Sequence, residues 1–195
     1  MMWDLPTSVE IDGKKYEIRD KCDYRVILDV ICVLNDDELD EKEKILCALA
    51  IFYGNEDIST FEKVANVVKS LPNIEKAVEK MANIINLGKN NDFDSNKPRL
   101  MDWEHDFSRI APPISRVLGY SVRDSNHYTH WYDFIGAYME IGECTFSTVV
   151  SIRDKRARGK KLEKWEQEFY NENKKMVDLP QNLTEEEKEW LDSDW

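Results

Sequence analysis

Apolar residues recur every three or four positions over most of the chain, a spacing that places them on one face of an α-helix. In the first half, the pattern predicts four helices joined by short connections, over residues 24–34, 40–53, 60–71 and 73–87. Pro72 and Gly88 directly follow the last two, at positions where helices commonly end. These stripes are typical of helices that face a hydrophobic core.

The helical pattern resumes in the second half and predicts further helices over 101–118, 128–141, 145–156 and 160–176. Pro112 and Pro113 predict a break or kink in the first of these, because proline lacks the backbone N–H that a helix interior uses. Asn126 is the predicted cap of the helix that follows. A capping-box-like sequence at Thr184 predicts a last, short acidic helix.

One segment near the N-terminus departs from the helical pattern. Apolar and polar residues alternate over 8–11 and 14–18, and the intervening Asp12-Gly13 pair suits a tight hairpin turn. Val9 and Ile11 then share one face, which must pack on the helices because a lone hairpin is marginal in water. The predicted fold class is therefore mainly α, a helical bundle of two lobes with one N-terminal β-hairpin.

A polar, turn-rich stretch at 89–98 contains almost no core-forming residues and is the best candidate for a domain boundary. We therefore predict an N-terminal hairpin and helical lobe over 1–88, a linker over 89–99 and a C-terminal helical lobe over 100–180. An acidic tail with a short helix follows over 181–195.

Composition and charge restrict the possible partners. The formal net charge is -12, which disfavours nucleic acid as a partner, since phosphate contacts need clustered Lys and Arg. Residues 153–164 nevertheless hold seven Lys or Arg and two acids, whereas 181–195 hold six acids and one Lys. We interpret the basic segment as a solvated helix end or as a contact for the acidic tail or an acidic partner. A nucleic-acid-binding adaptor surface is the interpretation that we rank last.

The chain has no apolar run near the roughly 20 residues that span a bilayer, so we predict no membrane partner. Its four cysteines lie far apart and form no CxxC pair, which is typical of reduced thiols in a cytoplasmic protein. It also lacks a nucleophile elbow, a papain-like cysteine context and a phosphate-binding loop. The sequence therefore predicts a protein that is not an enzyme and has no cofactor.

The three histidines suggest an alternative, a small metal-dependent hydrolase that uses His105, Asp106, His127 and His130. Two histidines three residues apart can face the same side of a helix, but so short a motif often arises by chance. In the competing interpretation, His130 packs among aromatic residues and forms a hydrogen bond with Glu104 or Asp106. That interpretation is preferred, so the sequence predicts no metal ligands.

Six Trp and eight Tyr are many for 195 residues, and both types are favoured at protein interfaces. The candidate partner-binding residues combine these aromatics with the basic segment. They are Trp103, Trp131, Phe134, Tyr138, Arg153, Arg156 and Trp165.

The order of several short motifs resembles the tail assembly chaperones, which long-tailed phages of Gram-positive bacteria and related prophages encode next to the tape-measure protein. The motifs of the first half are Leu5-Pro6 with the hairpin at 9–13, the charged helix start at 40–46 and Phe52-Tyr53. Those of the second half are Trp103-Glu104-His105-Asp106, Gly119-Tyr120, His130-Trp131 with Phe134, Phe146-Ser147, Ile152-Arg153, the helix at 162–170 and Leu179-Pro180. Pro112-Pro113 and the acidic C-terminus depart from that pattern.

This resemblance implies a protein that binds the tape-measure protein in the host bacterial cytoplasm and keeps it soluble. It also implies that the protein helps the tail-tube protein assemble around the tape measure and is absent from the mature virion. We also predict that the protein forms a homo-oligomer. In many such phages, ribosomal frameshifting produces the second half as a separable domain that engages tube subunits.

Overall fold

The computed structural model of the protein describes residues 4–54, 58–88 and 98–180. Its N-terminal β-hairpin pairs β1 (Ser8–Ile11) with β2 (Lys14–Glu17) in antiparallel register, with Val9 opposite Tyr16. Asp12 and Gly13 both have positive φ, 50° and 77°, as a primed two-residue turn requires. Val9 and Ile11 are buried against the helices, so the predicted hairpin and its inward face are confirmed.

The remaining regular structure of the described residues is helical, which confirms the mainly α fold class. The helices of the first half are α1 (Tyr24–Leu34), α2 (Glu41–Tyr53), α3 (Phe61–Ser70) and α4 (Ile74–Ile85). Those of the second half are α5 (Trp103–Leu118), α6 (Trp131–Met139), α7 (Thr145–Ala157), α8 (Lys164–Glu172) and α9 (Lys174–Val177). A single 3₁₀ turn (Arg19–Lys21) joins the hairpin to α1.

Side-chain caps fix the first turns of α1 to α5. An oxygen of the cap residue accepts a hydrogen bond from a backbone N–H of each first turn, which would otherwise have no partner within the helix. Asp40 and Glu43 form a reciprocal capping box at α2. The other cap residues are Asp23, Thr60, Asn73 and Asp102.

The pair Pro112-Pro113 lies inside α5, which continues from Trp103 to Leu118, so the helix is not broken there. The ring of Pro113 is buried and that of Pro112 is exposed. Both prolines remove a backbone donor from the helix interior. Flanking apolar residues such as Ile110 and Ile114 are fully buried, and their packing holds the helix together across the pair.

Two further helix boundaries differ from the prediction. The stretch predicted as one helix over 160–176 is divided into α8 and α9 at Asn173, whose side-chain amide donates to the carbonyl of Phe169 at 2.9 Å. Such local side-chain hydrogen bonds compete with continuation of the helix. The helix predicted over 128–141 begins at Trp131, and its cap is His130 rather than Asn126.

Both halves of the chain contribute to the main hydrophobic core, which extends from Val9 in β1 to Phe146 in α7. Tyr24 of α1 stacks on Phe134 of α6, with ring centroids 4.2 Å apart and planes within 5°. A second, smaller cluster joins Val149 and Ile152 to Val177 of α9. The C-terminal helices therefore pack on α7 through a core of their own.

A short polar seam also joins the two halves. The backbone N–H of Tyr24 donates to the carbonyl of Thr129, and that of Trp131 donates to the carbonyl of Cys22, both at 2.9 Å. The indole N–H of Trp131 donates to the carbonyl of Ile85 at the end of α4. These bonds fix the start of α6 against the entry to α1 and the end of α4.

The predicted division into two lobes stays a prediction. Most of the proposed linker, residues 89–97, and the whole acidic tail at 181–195 lie outside the described residues. The described helices can span no membrane, since none is both long and apolar enough.

Candidate partner-binding cleft

An open cleft of about 820 Å³ lies between the C-terminal end of α1 and the N-terminal end of α5. Its walls combine half-buried apolar side chains with acidic ones, and we call it the acidic cleft. The apolar part includes Ile31, Val33 and Trp103, and the acidic part consists of Asp36, Asp37, Glu38, Asp102 and Glu104. Cys32, Asn35, Arg99, His105 and Pro180 complete the lining.

The chain forms this cleft because two helix ends meet there. The connection after α1 carries Asp36, whose side chain accepts from the backbone N–H of Glu38 at 2.9 Å and so fixes a tight turn. Asp102 caps α5 by accepting from the N–H of His105 at 2.6 Å. The acids beside the cap also suit the positive end of the helix dipole.

The thiol of Cys32 lies within this negative field. Burial raises the pKa of Cys32, and the carboxylates of Glu104, Asp29 and Asp102 raise it further. A neighbouring negative charge disfavours the thiolate, so the part of the pKa shift that comes from these carboxylates reflects the negative charge of the cleft wall. By the same electrostatics, the acidic cleft attracts cationic groups.

His105 also lines this wall. Its Nε2 is buried and has no hydrogen-bond partner among the described residues. A buried polar atom without a partner costs on the order of 1–3 kcal/mol.

The four aromatic candidates at 103, 131, 134 and 138 form one cluster. The ring centroid of Trp103 lies 6.3 Å from that of Trp131, 5.8 Å from Phe134 and 5.2 Å from Tyr138. Trp131 is 2% exposed and Phe134 is fully buried, so both lie behind the wall of the cleft and do not line it. Trp103 is the member of the cluster that lines the acidic cleft.

Arg153 is also in the interior, with 6% of its surface exposed, and binds the fully buried Asp106 of α5. Two of its nitrogens donate to the two carboxylate oxygens, at 2.6 and 3.0 Å. Further N–H groups donate to the carbonyls of Leu100, Met176 and Val177, at 3.0, 3.0 and 2.6 Å. Arg153 therefore ties α5, α7 and α9 together.

Three other cations of the basic segment form more exposed pairs. Lys155 donates to both oxygens of Glu166, at 2.6 and 2.8 Å. Arg156 pairs with Asp178, and Arg158 pairs with Asp154 at 2.6 Å. Much of the charge that a nucleic-acid surface would need is thus already matched by carboxylates of the chain.

Arg156 and Trp165 are the two remaining candidate residues. The guanidinium of Arg156 lies 4.0 Å from the ring centroid of Tyr170, and its side chain is partly exposed. Trp165 is 53% exposed, and its indole N–H donates to Glu163. Neither residue lines the acidic cleft, and a partner-binding role for any of the seven candidates stays a prediction.

The structure places the histidines in three different settings. His127 is exposed, stacks on Tyr120 and lies 3.7 Å from Asp124. His130 is buried and caps α6, whereas His105 lines the acidic cleft. Across residues 4–54, 58–88 and 98–180, no three His, Cys, Asp or Glu side chains form a group that could hold a metal ion. The proposed set of metal-binding residues is therefore not assembled.

The hydrogen bonds of His130 also differ from the expectation. Its Nδ1 accepts from the backbone N–H of Tyr132 at 3.0 Å, so Nε2 carries the proton and donates to the carbonyl of Pro6 at 3.0 Å. The expected partner Asp106 is instead bound to Arg153. His130 therefore joins the N-terminal segment to α6.

The sequence pattern alone did not single out the acidic turn after α1. The sequence pattern assigns no role to residues 36–38, and the predicted linker over 89–99 includes Arg99. The available signal was the run of three acids directly after an apolar helix, together with the acids flanking Trp103. Only the tertiary structure brings these two segments to the same cleft.

Comparison with known proteins identifies the family. A family model described as Bacteriophage Gp15 protein matches residues 2–179, nearly the whole chain, and the protein belongs to this bacteriophage family. No curated protein matches the chain, and no solved structure matches it.

Proposed function

We propose that the protein is a phage tail assembly chaperone that binds the tape-measure protein and assists assembly of the tail tube. Membership of a bacteriophage family and the resemblance described above support this role. In this proposal the protein is not an enzyme, acts in the host bacterial cytoplasm and is not part of the mature virion.

The acidic cleft is the observation that carries the proposal. Half-buried Trp103 offers apolar area, while Asp37 and Glu104 are exposed at the rim. An amphipathic helix docks by laying its apolar face in such a groove. We therefore propose that the bound segment of the tape-measure protein is a helix that carries Lys or Arg beside its apolar stripe.

The net charge fits the same role. A chaperone must keep an aggregation-prone partner in solution, and a strongly negative surface favours solubility. Attraction between opposite charges also speeds the encounter of two proteins. The acidic exterior and the acidic cleft therefore both favour a cationic partner segment.

Co-expression with the tape-measure protein of the same phage tests the proposal. The tape-measure protein should be soluble and should co-purify with this chain, and it should aggregate when expressed alone. Tape-measure protein that stays insoluble and does not co-purify would show that the proposed function is wrong.

Charge reversal tests whether the acidic cleft is the binding site. The variant Asp37→Lys/Glu104→Lys changes one loop acid and one acid of a first helical turn, both exposed. The matched control, Glu62→Lys/Glu143→Lys, also changes one first-turn acid and one loop acid, and neither lines the cleft. Both variants carry the same net charge.

We expect the cleft variant to bind the tape-measure protein about tenfold more weakly, from two exposed pairs of up to about 1 kcal/mol each. The control should bind like the unmodified protein. Equal weakening in both variants would assign the effect to net charge and would reject the cleft as the site.

A further inference from the structure

A second cleft, of about 1000 Å³, lies between the end of α7 and α8 and has the opposite charge. We call it the basic cleft. It is lined by Arg156, Lys160, Lys161, Leu162, Glu163, Lys164, Gln167, Glu168 and Tyr170. Four cations and two acids therefore surround it, in a protein whose net charge is -12.

The cations of the basic cleft differ in how they are engaged. Arg156 pairs with Asp178 and lies over Tyr170. Lys164 lies at the limit of an ion pair with Glu168, 3.9 Å away, and its side chain is 93% exposed. Lys160 and Lys161 are exposed and form no ion pair within the described part of the chain. The cleft therefore has positive charge left for an anionic ligand.

The chain itself supplies a segment of matching chemistry. Residues 181–195 contain six acids and one lysine, together with Trp190 and Leu191. We propose that this C-terminal segment binds in the basic cleft of its own chain. Its carboxylates pair with Lys160, Lys161 and Lys164, and its apolar residues contact the cleft walls. This inference does not depend on the proposed chaperone function.

The path of the chain supports binding within one molecule. Asp178 contacts both Arg156 and Tyr170 at the edge of the basic cleft, so the segment starts beside its proposed site. Glu185 is seven residues further along and can reach about 25 Å from Asp178 at 3.3–3.6 Å per residue. A short tether gives an effective concentration in the millimolar range, so weak pairing is sufficient.

The other cleft near the same point favours the same choice. Pro180 lines the acidic cleft, where five carboxylates would repel an acidic segment. The tail therefore leaves the described fold between a repulsive and an attractive surface. Electrostatics direct it to the basic cleft.

Zero-length carbodiimide cross-linking of the full chain, with mass-spectrometric mapping, tests the proposal. We expect links from the acids at 185–194 to Lys160, Lys161 and Lys164, in the monomer band. About 1 M salt should remove them, because the screening length then falls to about 3 Å. Links found only in a dimer band would assign the site to a second copy, and links spread over unrelated lysines would reject a specific site; either result overturns the proposal.

Charge-reversal variants make the test more specific. The measured quantity is the yield of cross-links between the tail and Lys164. Lys160→Glu/Lys161→Glu should reduce the links from the tail to Lys164 severalfold. The matched control Lys42→Glu/Lys69→Glu changes two exposed lysines outside the cleft and should leave them unchanged. An equal loss in both variants would contradict the proposal.

A second measurement does not depend on cross-linking chemistry. Changing the four glutamates at 185, 186, 187 and 189 to glutamine should leave the basic cleft open to polyanions, so retention on heparin should rise at low salt. Adding Lys160→Glu/Lys161→Glu should abolish the increase. Unchanged retention after the glutamate substitutions would overturn the proposal.

Discussion

Arg153 of α7 binds Asp106 of α5 across 47 residues of sequence, through two hydrogen bonds of 2.6 and 3.0 Å in the protein interior. The same guanidinium donates to the backbone carbonyls of Leu100, Met176 and Val177. All five N–H groups of an arginine side chain therefore have acceptors. The pair fixes α9 and the segment before α5 against α7.

Removing one charge of this pair should be strongly destabilising. Asp106→Asn leaves the buried guanidinium without its counter-charge, and we expect the free energy of unfolding to fall by about 3–5 kcal/mol. Urea denaturation followed by circular dichroism measures the change. Asp154→Asn, which removes an exposed pair with Arg158, is the control and should cost no more than about 1 kcal/mol.

The double variant Asp106→Asn/Arg153→Met separates the ion pair from the carbonyl contacts. It removes both charges, but it also leaves three carbonyls without their donor. We expect the free energy of unfolding of the double variant to fall by less than the sum of the decreases in the two single variants. The decrease should still be well above zero. Full recovery of stability would show that the carbonyl contacts contribute nothing.

Glu166 gives a pH-dependent contribution whose sign is defined. Hydrogen bonds from Lys155, then from the backbone of Glu163, lower its pKa below the ordinary 4.5. The contribution is present above about pH 4.5 and is lost as the pH falls through the folded pKa. The difference in unfolding free energy between the unmodified protein and Glu166→Gln should therefore shrink on acidification. Urea titrations at several pH values between 3 and 7 measure it.

The control for this prediction is Glu172→Gln, on the exposed end of the same helix. It should change stability by no more than about 0.5 kcal/mol. A Glu166→Gln difference that stays constant or grows on acidification would contradict the assigned role.

The cap formed by His130 predicts an order of stability among variants at this position. Asparagine can still accept the hydrogen bond from the N–H of Tyr132, whereas alanine removes it. His130→Asn should therefore be more stable than His130→Ala by about 1 kcal/mol, the usual value of an N-cap. Thermal and urea unfolding compare the two variants. Equal stability would mean that the ring acts only by filling space.

The reactivity of two thiols can test the electrostatics of the acidic cleft. Glu104 helps to raise the pKa of Cys32, and Glu43 does the same for Cys47, in each case after burial. Glu104→Gln should lower the pKa of Cys32 and speed its alkylation at mildly alkaline pH, because more thiolate is present. Glu43→Gln is the reciprocal control and should act on Cys47 alone. Mass spectrometry resolves the alkylation rate of each cysteine.

The hydrophobic pattern predicted most of the helices because each buries one face. The boundaries of α1 match the prediction, and the predicted turn at Asp12-Gly13 is present. Predictions failed where side chains act on the backbone locally. Asn173 ends α8 by bonding to Phe169, and His130 replaces Asn126 as the cap of α6.

The candidate site was predictable only in part. Trp103 was identified from its aromatic character and lies on the wall of the acidic cleft. Trp131 and Phe134 have the same character but are buried, since periodicity identifies an apolar face without telling which part of it remains uncovered. The place of Asp37 in the cleft is not predictable, because a charged loop alone does not indicate which helix it will approach.

Local sequence patterns and composition are sufficient to predict the helical class, the hairpin, the excess of negative charge and the contrast between the basic segment and the acidic tail. These follow from composition and from periodicities of two and 3.6 residues, which are local properties. Folding buries Arg153 against Asp106, separates the three histidines and places two clefts of opposite charge beside Asp178 and Pro180. The partners in such contacts are tens of residues apart, and the folded chain alone brings them within hydrogen-bonding distance.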